Sequence, residues 1–273
     1  MEYRKIDDEA ALQAYVEQLK SEGIATIALD LEGEFNLHVY GERLCLIQVY
    51  DGREAVIIDP LQMENDALKP LLEEEKLLKI MWDASSDISL LVNGYETTIR
   101  SVLDLRPAAD ILDFPKKDYA SVLADVLGVE TRKKKKFQQY NWLRRPIDEE
   151  AIQYAIDDVL HLFDLKDELI ARLYSAGSLE DFFHRCLVVQ NKKMKGYRHL
   201  KRREKELLKR LFNIRDSHAR RLDMPPHNVI ANPELMDLSR RRLTPEKLRF
   251  NRRMSEQTRR RIVEELQQEM QEA

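Results

Sequence analysis

GIATIALDLEGEFNLHVYGERLCLIQVYDGREAVIIDP, residues 23–60, holds the pattern that decides the fold. Three runs rich in β-branched and apolar residues (24–31, 43–50 and 54–58) are separated by glycines and by an Asp51-Gly52 turn. Runs of that length with turn residues between them read as strands. The second and third are joined by a tight turn and the first two by a short loop, which predicts an antiparallel meander. Downstream the pattern changes. LKPLLEEE (68–75) reads as helix, LKIMWD (78–83) as strand, SDISLLVNGY (86–95) as helix and SVLDL (101–105) as strand. That alternation implies βαβ units with parallel pairing. Upstream, residues 8–20 carry helical spacing behind a capping Asp8. The sum is an α/β domain, a mixed sheet flanked by helices.

Further along, residues 118–128 read as a helix ended by Gly128. Residues 130–146 are basic, aromatic and aperiodic, which suits a surface loop. From Asp148 a long helix is predicted, with Pro146 just before it and acids in its first turn. Residues 175–178 (SAGS) break it, and another helix follows over 179–192. The tail, about 200–273, is all-helical by pattern, with MPPHNV, NPE and TPEK placed at starts and stops of four or five short helices. The expected organisation is a first domain over 1–191 and a small helical one over 192–273.

A chain of 273 residues accommodates one large domain and one small one. With 34% charged residues, it has nothing near the ~18 continuous apolar residues of a membrane helix. The acidic, polar start does not read as a signal peptide, so the cytoplasm is the expected location, with no membrane partner. Cys45 and Cys186 have neither disulfide-framework nor zinc spacing and read as two reduced thiols. The net charge of −4 conceals an asymmetry: residues 192–273 contain 23 Lys/Arg against 12 Asp/Glu, and residues 1–191 contain 22 against 37. A basic tail on an acidic body fits either a solvated helical surface or one that tracks phosphates.

Asp30 and Glu32 sit two apart at the end of the first strand and so share one side of it. Paired carboxylates there are costly unless a cation joins them, and a hard divalent ion with oxygen ligands is the natural candidate; alone, the pair also matches a solvated strand end. Asp87 lies near a helix start, where the dipole favours an acid. Tyr154 and Asp158, four apart on the long helix, lie one turn apart on the same face, in a largely apolar setting where both need partners.

Taken in order, Asp-x-Glu on a strand, Asp in a βα segment and Tyr-x-x-x-Asp on a late helix resemble the DEDDy exonuclease superfamily, with its ribonuclease-H-like fold. WLRRPIDEEAIQYAIDDV (142–159) looks like the ribonuclease D segment in which Trp and Arg-Pro precede the third motif, and the Leu-Ile-Gln of 46–48 matches that family's second strand. ARRLDMPPHNVIANPELMDLSRRR (219–242) resembles the HRDC domain. Two departures stand out: Trp82-Asp83 replaces a His-Ala-like pair, and there is room for one HRDC-like domain where the better known layout has two.

The resemblance implies a metal-dependent 3′-5′ exoribonuclease. Asp30, Glu32, Asp87 and Asp158 would bind two Mg²⁺ or Mn²⁺ ions, with Asp30 bridging them. Tyr154 would position the attacking water, since a phenol with a pKa of about 10 is a poor base at neutral pH. The implied substrate is a single-stranded RNA 3′ end, tRNA precursors above all, and the protein is taken as a monomer. DNA stays open, because such a metal site does not inspect the sugar, as does a non-catalytic nucleic-acid-binding scaffold. Lys133–Lys136, Phe137, Tyr140, Trp142, Arg144 and Arg145 are candidates for phosphate contact and base stacking, with packing of Phe137 and Trp142 beneath the loop as the equal alternative; His38 and Gln48 are candidates for touching the terminal nucleotide, and Arg240–Arg242 and Arg259–Arg261 for holding upstream RNA, although HRDC domains also serve as protein-contact modules.

Overall fold

The computed structural model describes residues 2–131, 136–137, 139–186 and 200–271. In chain order these form β1 (Tyr3–Ile6), α1 (Glu9–Ser21), β2 (Thr26–Phe35), β3 (Glu42–Tyr50), β4 (Ala55–Ile58), α2 (Lys69–Leu72), β5 (Leu78–Met81), α3 (Ser85–Gly94), β6 (Val102–Asp104), α4 (Arg106–Ile111), α5 (Tyr119–Leu127), α6 (Glu149–Leu160), α7 (Leu162–Ser175), α8 (Leu179–Cys186), α9 (Arg202–Leu222), α10 (Pro226–Val229), α11 (Asn232–Ser239) and α12 (Glu256–Gln271). The chain divides into two compact units, residues 1–34 with 43–190, and residues 35–42 with 191–273.

The first unit is built on a six-stranded mixed sheet in the order β1-β4-β3-β2-β5-β6. β3 and β4 pair antiparallel, Ile47 opposite Ile58; β2 with β5 and β5 with β6 pair parallel. The meander and the βαβ segment expected from the sequence thus share one sheet. Burial explains the strand composition: Leu44–Val49 of β3 and all of β4 are buried, as continuous apolar runs covered on both faces are. Asp30 and Glu32 of β2 are half-buried, between buried Leu29, Leu31 and Gly33.

Local chemistry sets the helix limits. Asp8 accepts from the Ala11 amide at 2.8 Å to start α1, which then buries Leu12, Tyr15, Val16 and Leu19 on one stripe. α5 stops at Gly128, whose φ of 67° is a left-handed cap that glycine adopts without a Cβ penalty. β1 was not expected; it is a four-residue edge strand parallel to β4, too short to show a period. The helix expected over 68–75 is one turn long, and Glu73 beyond it instead accepts from the Thr97 hydroxyl at 2.6 Å. The helix expected from Asp148 through Tyr174 is two, α6 and α7, broken at His161 (φ −103°, ψ 4°). The helix expected over 179–192 is seen to Cys186, and the remainder lies outside the described residues.

In the second unit α9 runs 21 residues, longer than the short helices expected. Leu207, Leu208 and Leu211 of α9, Leu235 and Leu238 of α11, and Ile262 and Leu266 of α12 form its core. Tyr40, from the segment between β2 and β3, packs on this core; its hydroxyl donates to Asp216 at 3.4 Å and its ring lies 5.6 Å from the Arg220 guanidinium carbon. No helix among the described residues is long and apolar enough to cross a membrane.

Candidate active site

β2 and α6 come together at the acids. Asp30, Glu32 and Asp158 each place a carboxylate oxygen within 4.8 Å of the other two, and all three are half-buried. The two β2 acids share a face because strand side chains alternate. Residue 158 reaches them because α6 lays its stripe of Ala151, Ile152, Ala155, Ile156 and Val159 against the sheet side of the unit. Three convergent carboxylates repel one another in a half-buried setting, and that repulsion favours binding of cations.

Tyr154, one turn before Asp158, is buried and donates its hydroxyl to the Asp158 carboxylate. Burial chiefly, then the charges of Asp158 and Glu32, raises its pKa far above the ordinary phenol value. Tyr154 is therefore a phenol, a hydrogen-bond donor, at any working pH. The Phe137 ring stacks on it at 4.8 Å and 25°, which holds the ring plane.

The fourth expected acid, Asp87, stands outside this group of three. It is buried in the first turn of α3, where the helix N-terminus favours a negative charge. The turn leading into α3 is clamped by Asp104, whose carboxylate accepts from the amides of Asp83 (2.8 Å), Ala84 (3.2 Å) and Arg106 (3.0 Å). Asp83 takes a φ of 57° there. Burial raises the Asp104 pKa, and the three amides oppose that rise.

A second tyrosine escaped the sequence reading. Tyr119, on α5, is buried and donates its hydroxyl to the backbone carbonyl of Asp157 at 3.2 Å. Burial first, then Asp158 and Asp30, push its pKa well up, so it too stands close to the acids. The Trp82 ring packs on it at 5.8 Å. Neither Tyr119 nor Asp104 belongs to a motif, and the one available signal is a polar residue within an apolar run.

The basic, aromatic loop takes the packed alternative for its aromatics. Phe137 and Trp142 are 3% exposed and belong to the core that includes Cys45, Ala151 and Tyr154, so they offer no face for base stacking. Arg145 holds Asp59 through two nitrogens, Nε at 2.5 Å and Nη2 at 2.7 Å, and also donates to the Cys45 carbonyl at 2.7 Å. The Tyr140 hydroxyl accepts from the Asp148 amide at 3.0 Å at the start of α6. Lys136 pairs with Glu150. This loop buttresses the helix carrying Tyr154 and Asp158; Arg144 is exposed, and residues 133–135 lie outside the described residues. Gln48 is fully buried in β3 and cannot meet a nucleotide, whereas His38 is exposed in the 35–42 segment of the second unit.

A sheet of this order with clustered carboxylates at β2 and a late helix suits a hydrolase that uses divalent cations, and comparison with known proteins gives the family. Residues 3–173 match the 3′-5′ exonuclease family, and the chain belongs to it. Residues 204–269 match the HRDC domain, so this is a ribonuclease D-like exonuclease domain followed by HRDC. Ribonuclease D of Serratia proteamaculans is 27% identical over 254 residues, 88% of this chain and 67% of that protein. Ribonuclease D of Xanthomonas oryzae is 29% identical over 238 residues, 82% of this chain and 65% of its own length. The chain thus spans about two thirds of these relatives and half of Escherichia coli ribonuclease D (50%). The crystal structure of the Escherichia coli enzyme superposes with a TM-score of 0.73 at 23% identity, covering 98% of this chain and 75% of that one. The catalytic core of RRP6 from Trypanosoma brucei does so with 0.73 at 21%, covering 100% and 80%.

Proposed function

We propose that this chain is a metal-dependent exoribonuclease that removes nucleotides one at a time from single-stranded RNA 3′ ends. The observation that carries the reading is the meeting of Asp30, Glu32 and Asp158 beside a tyrosine that donates to one of them. All-carboxylate donor sets suit hard divalent cations such as Mg²⁺ or Mn²⁺. Asp30, Glu32 and Asp158 would hold two such ions, with Asp87 serving from the first turn of α3. When bound, the ions supply a hydroxide nucleophile at neutral pH and charge neutralisation at the leaving oxygen. Hydrolysis breaks the P–O3′ bond of the last linkage, giving a 5′-mononucleotide and a new 3′-hydroxyl.

The remaining work falls to protein groups. Asp158 accepts from Tyr154, and that bond orients the phenol; a lone pair on the same oxygen is left to accept a hydrogen from a water in line with the phosphorus. The stacked Phe137 limits ring motion. A proton leaving the water is better received by the carboxylates than by Tyr154, which keeps its own.

The RNA substrate rests on the relatives, one of whose structures is described as an exoribonuclease involved in structured RNA processing. The test is a 5′-labelled single-stranded RNA and the matching DNA, incubated with Mg²⁺, Mn²⁺ or EDTA beside Asp30→Ala. A ladder shortening from the 3′ end, metal-dependent and absent in the variant, is expected, with RNA preferred. Faster loss of DNA would overturn the RNA assignment. Binding without shortening in every metal would overturn the catalytic one and leave a nucleic-acid-binding scaffold.

A further inference from the structure

Several aromatic side chains on the acid side of the sheet are already covered. Phe137 and Trp142 are buried beneath the loop before α6, and Phe137 stacks on Tyr154. Trp82 differs. It is the first residue beyond β5, it is half-buried, and it stands where the ribonuclease D pattern has a histidine.

Strand register places Trp82 beside the acids. β2 and β5 pair in parallel, with Thr26 opposite Leu78 and Ala28 opposite Ile80. Carried two residues on, that register sets Trp82 opposite Asp30. Both side chains then fall on the sheet face of Ala28 and Ile80, because strand side chains alternate. Packing agrees: Trp82 rests on the cluster that includes Ala28, Ile80, Tyr119 and Val159. Tyr119 in turn donates to the Asp157 carbonyl at 3.2 Å, and Asp158 and Asp30 are among the charges that act on its hydroxyl. Trp82 meets Tyr119 at 5.8 Å with the rings tilted by 58°. The parallel contact of Phe137 on Tyr154 is 4.8 Å and 25°, so Tyr119 does not cover an indole face as a stacked ring would.

The backbone next to the indole is fixed. Asp83 takes a φ of 57°, a conformation that aspartate tolerates better than most residues. Asp104 accepts from the amides of Asp83 at 2.8 Å and Ala84 at 3.2 Å, and the Ser85 hydroxyl donates to the Asp83 carboxylate at 3.1 Å. A tryptophan on a turn clamped in this way is positioned before any ligand arrives, which lowers the entropy lost on contact.

We infer that Trp82 is the platform on which the last base of the RNA stacks. The inference rests on the exoribonuclease reading above. The surroundings favour an aromatic contact over an ionic one. Close to Asp30, Asp83 and Asp158 a phosphate is repelled until cations are bound, whereas a nucleobase is uncharged and offers a π-face. Every base has such a face, so the platform accepts any 3′-terminal base but requires that one be present.

The test follows tryptophan fluorescence of the full chain in EDTA, so that nothing is hydrolysed. The protein has two tryptophans, and Trp142 is 3% exposed, so a base stacking on indole reports through Trp82. A short single-stranded RNA is expected to quench wild-type emission, and the same RNA made abasic at its last position to bind about tenfold more weakly. Trp82→Ala is expected to lose about tenfold in affinity for the intact RNA and nothing for the abasic one. Trp82→Phe keeps a stacking face and is expected to lose the quench while holding affinity within about threefold of wild type. A quench that survives in Trp82→Phe would overturn the platform, since the signal then comes from Trp142. So would equal losses in Trp82→Ala for intact and abasic RNA, the mark of a tryptophan that only holds the turn. Shortening of the RNA in Mg²⁺ or Mn²⁺, measured alongside, separates the two readings. A wild type that discriminates the abasic end yet shortens nothing would fault the exoribonuclease reading alone. One that shortens RNA without that discrimination would fault the platform alone.

Discussion

The acids of β2 and α6 and the cations between α11 and α12 are both crowds of like charge, and the fold treats them in opposite ways. Asp30, Glu32 and Asp158 are half-buried and converge to within 4.8 Å; the cations at 249–253 are displayed to solvent. Repulsion at short range in a poorly screened setting is several times larger than among exposed groups in salt. The acid cluster therefore stores a demand that bound cations would meet, whereas the basic segment costs the fold little and stays available. Burial, more than charge count, separates the two clusters.

The comparison breaks most visibly at its acidic end. Asp158→Asn removes one member of the cluster and the acceptor of Tyr154. We expect a loss of about 4 kcal/mol of barrier lowering, on the order of 10³-fold in single-turnover rate, with RNA binding in EDTA preserved or improved. A rate near wild type would take Asp158 out of the chemistry. Tyr154→Phe tests the hydroxyl alone. A fall of roughly 10² in rate is expected, with the shape of the pH–rate profile kept, because a phenol held above its ordinary value stays protonated across the working range. A profile that loses an alkaline limb in the variant would make Tyr154 a titrating base.

Tyr119→Phe sharpens the contrast between groups that meet the substrate and groups that hold others in place. It removes the hydroxyl that donates to the Asp157 carbonyl, next to Asp158. About a tenfold drop is expected at low metal, recovered at high Mg²⁺ or Mn²⁺, with Tm little changed. A loss that metal cannot restore would place Tyr119 among the reacting groups. Smallest is Lys79→Met, which probes a cation buried without a carboxylate ion pair. Lys79 is fully buried, donates to the Glu74 carbonyl at 2.6 Å, and has its pKa lowered by burial to about 8. The folded chain releases this proton near pH 8 and the unfolded chain near 10.5. The unfolded state binds more protons across that window, so wild-type stability rises with pH there. The variant should lack this contribution, which chemical denaturation at pH 7.5 and 9.5 would reveal; identical pH dependence in both proteins would show Lys79 to be solvated.

Much of the first unit was legible from residues 23–60, because strand burial leaves continuous apolar runs and turns leave glycine and aspartate. The same pattern could not show β1, whose four residues are too few to display a period. It could not show the break at His161 either, since apolar spacing continues through Leu160 and Leu162. The aromatic loop is the instructive case, because residue type left base stacking and packing beneath the loop equally open. Phe137, Trp142 and Arg145 resemble a nucleic-acid surface by type, yet a Trp beside arginines is equally a core residue under a fastened loop. Only the Asp59–Arg145 pair and the Tyr154–Phe137 stack decide between the two.

By itself the sequence determined that two acids share a strand face and that a tyrosine and an acid share a helix face, because the 2.0 and 3.6 periods are local properties of the backbone. It determined too that the basic excess lies in the helical tail. The resemblance implied that Asp158 meets Asp30 and Glu32 across more than a hundred residues, and tertiary structure supplied that geometry and showed that Tyr119 stands close by. Tertiary structure also decided which arginines are consumed in ion pairs and which remain. Those outcomes depend on which surfaces are buried against each other, and no local period carries that information.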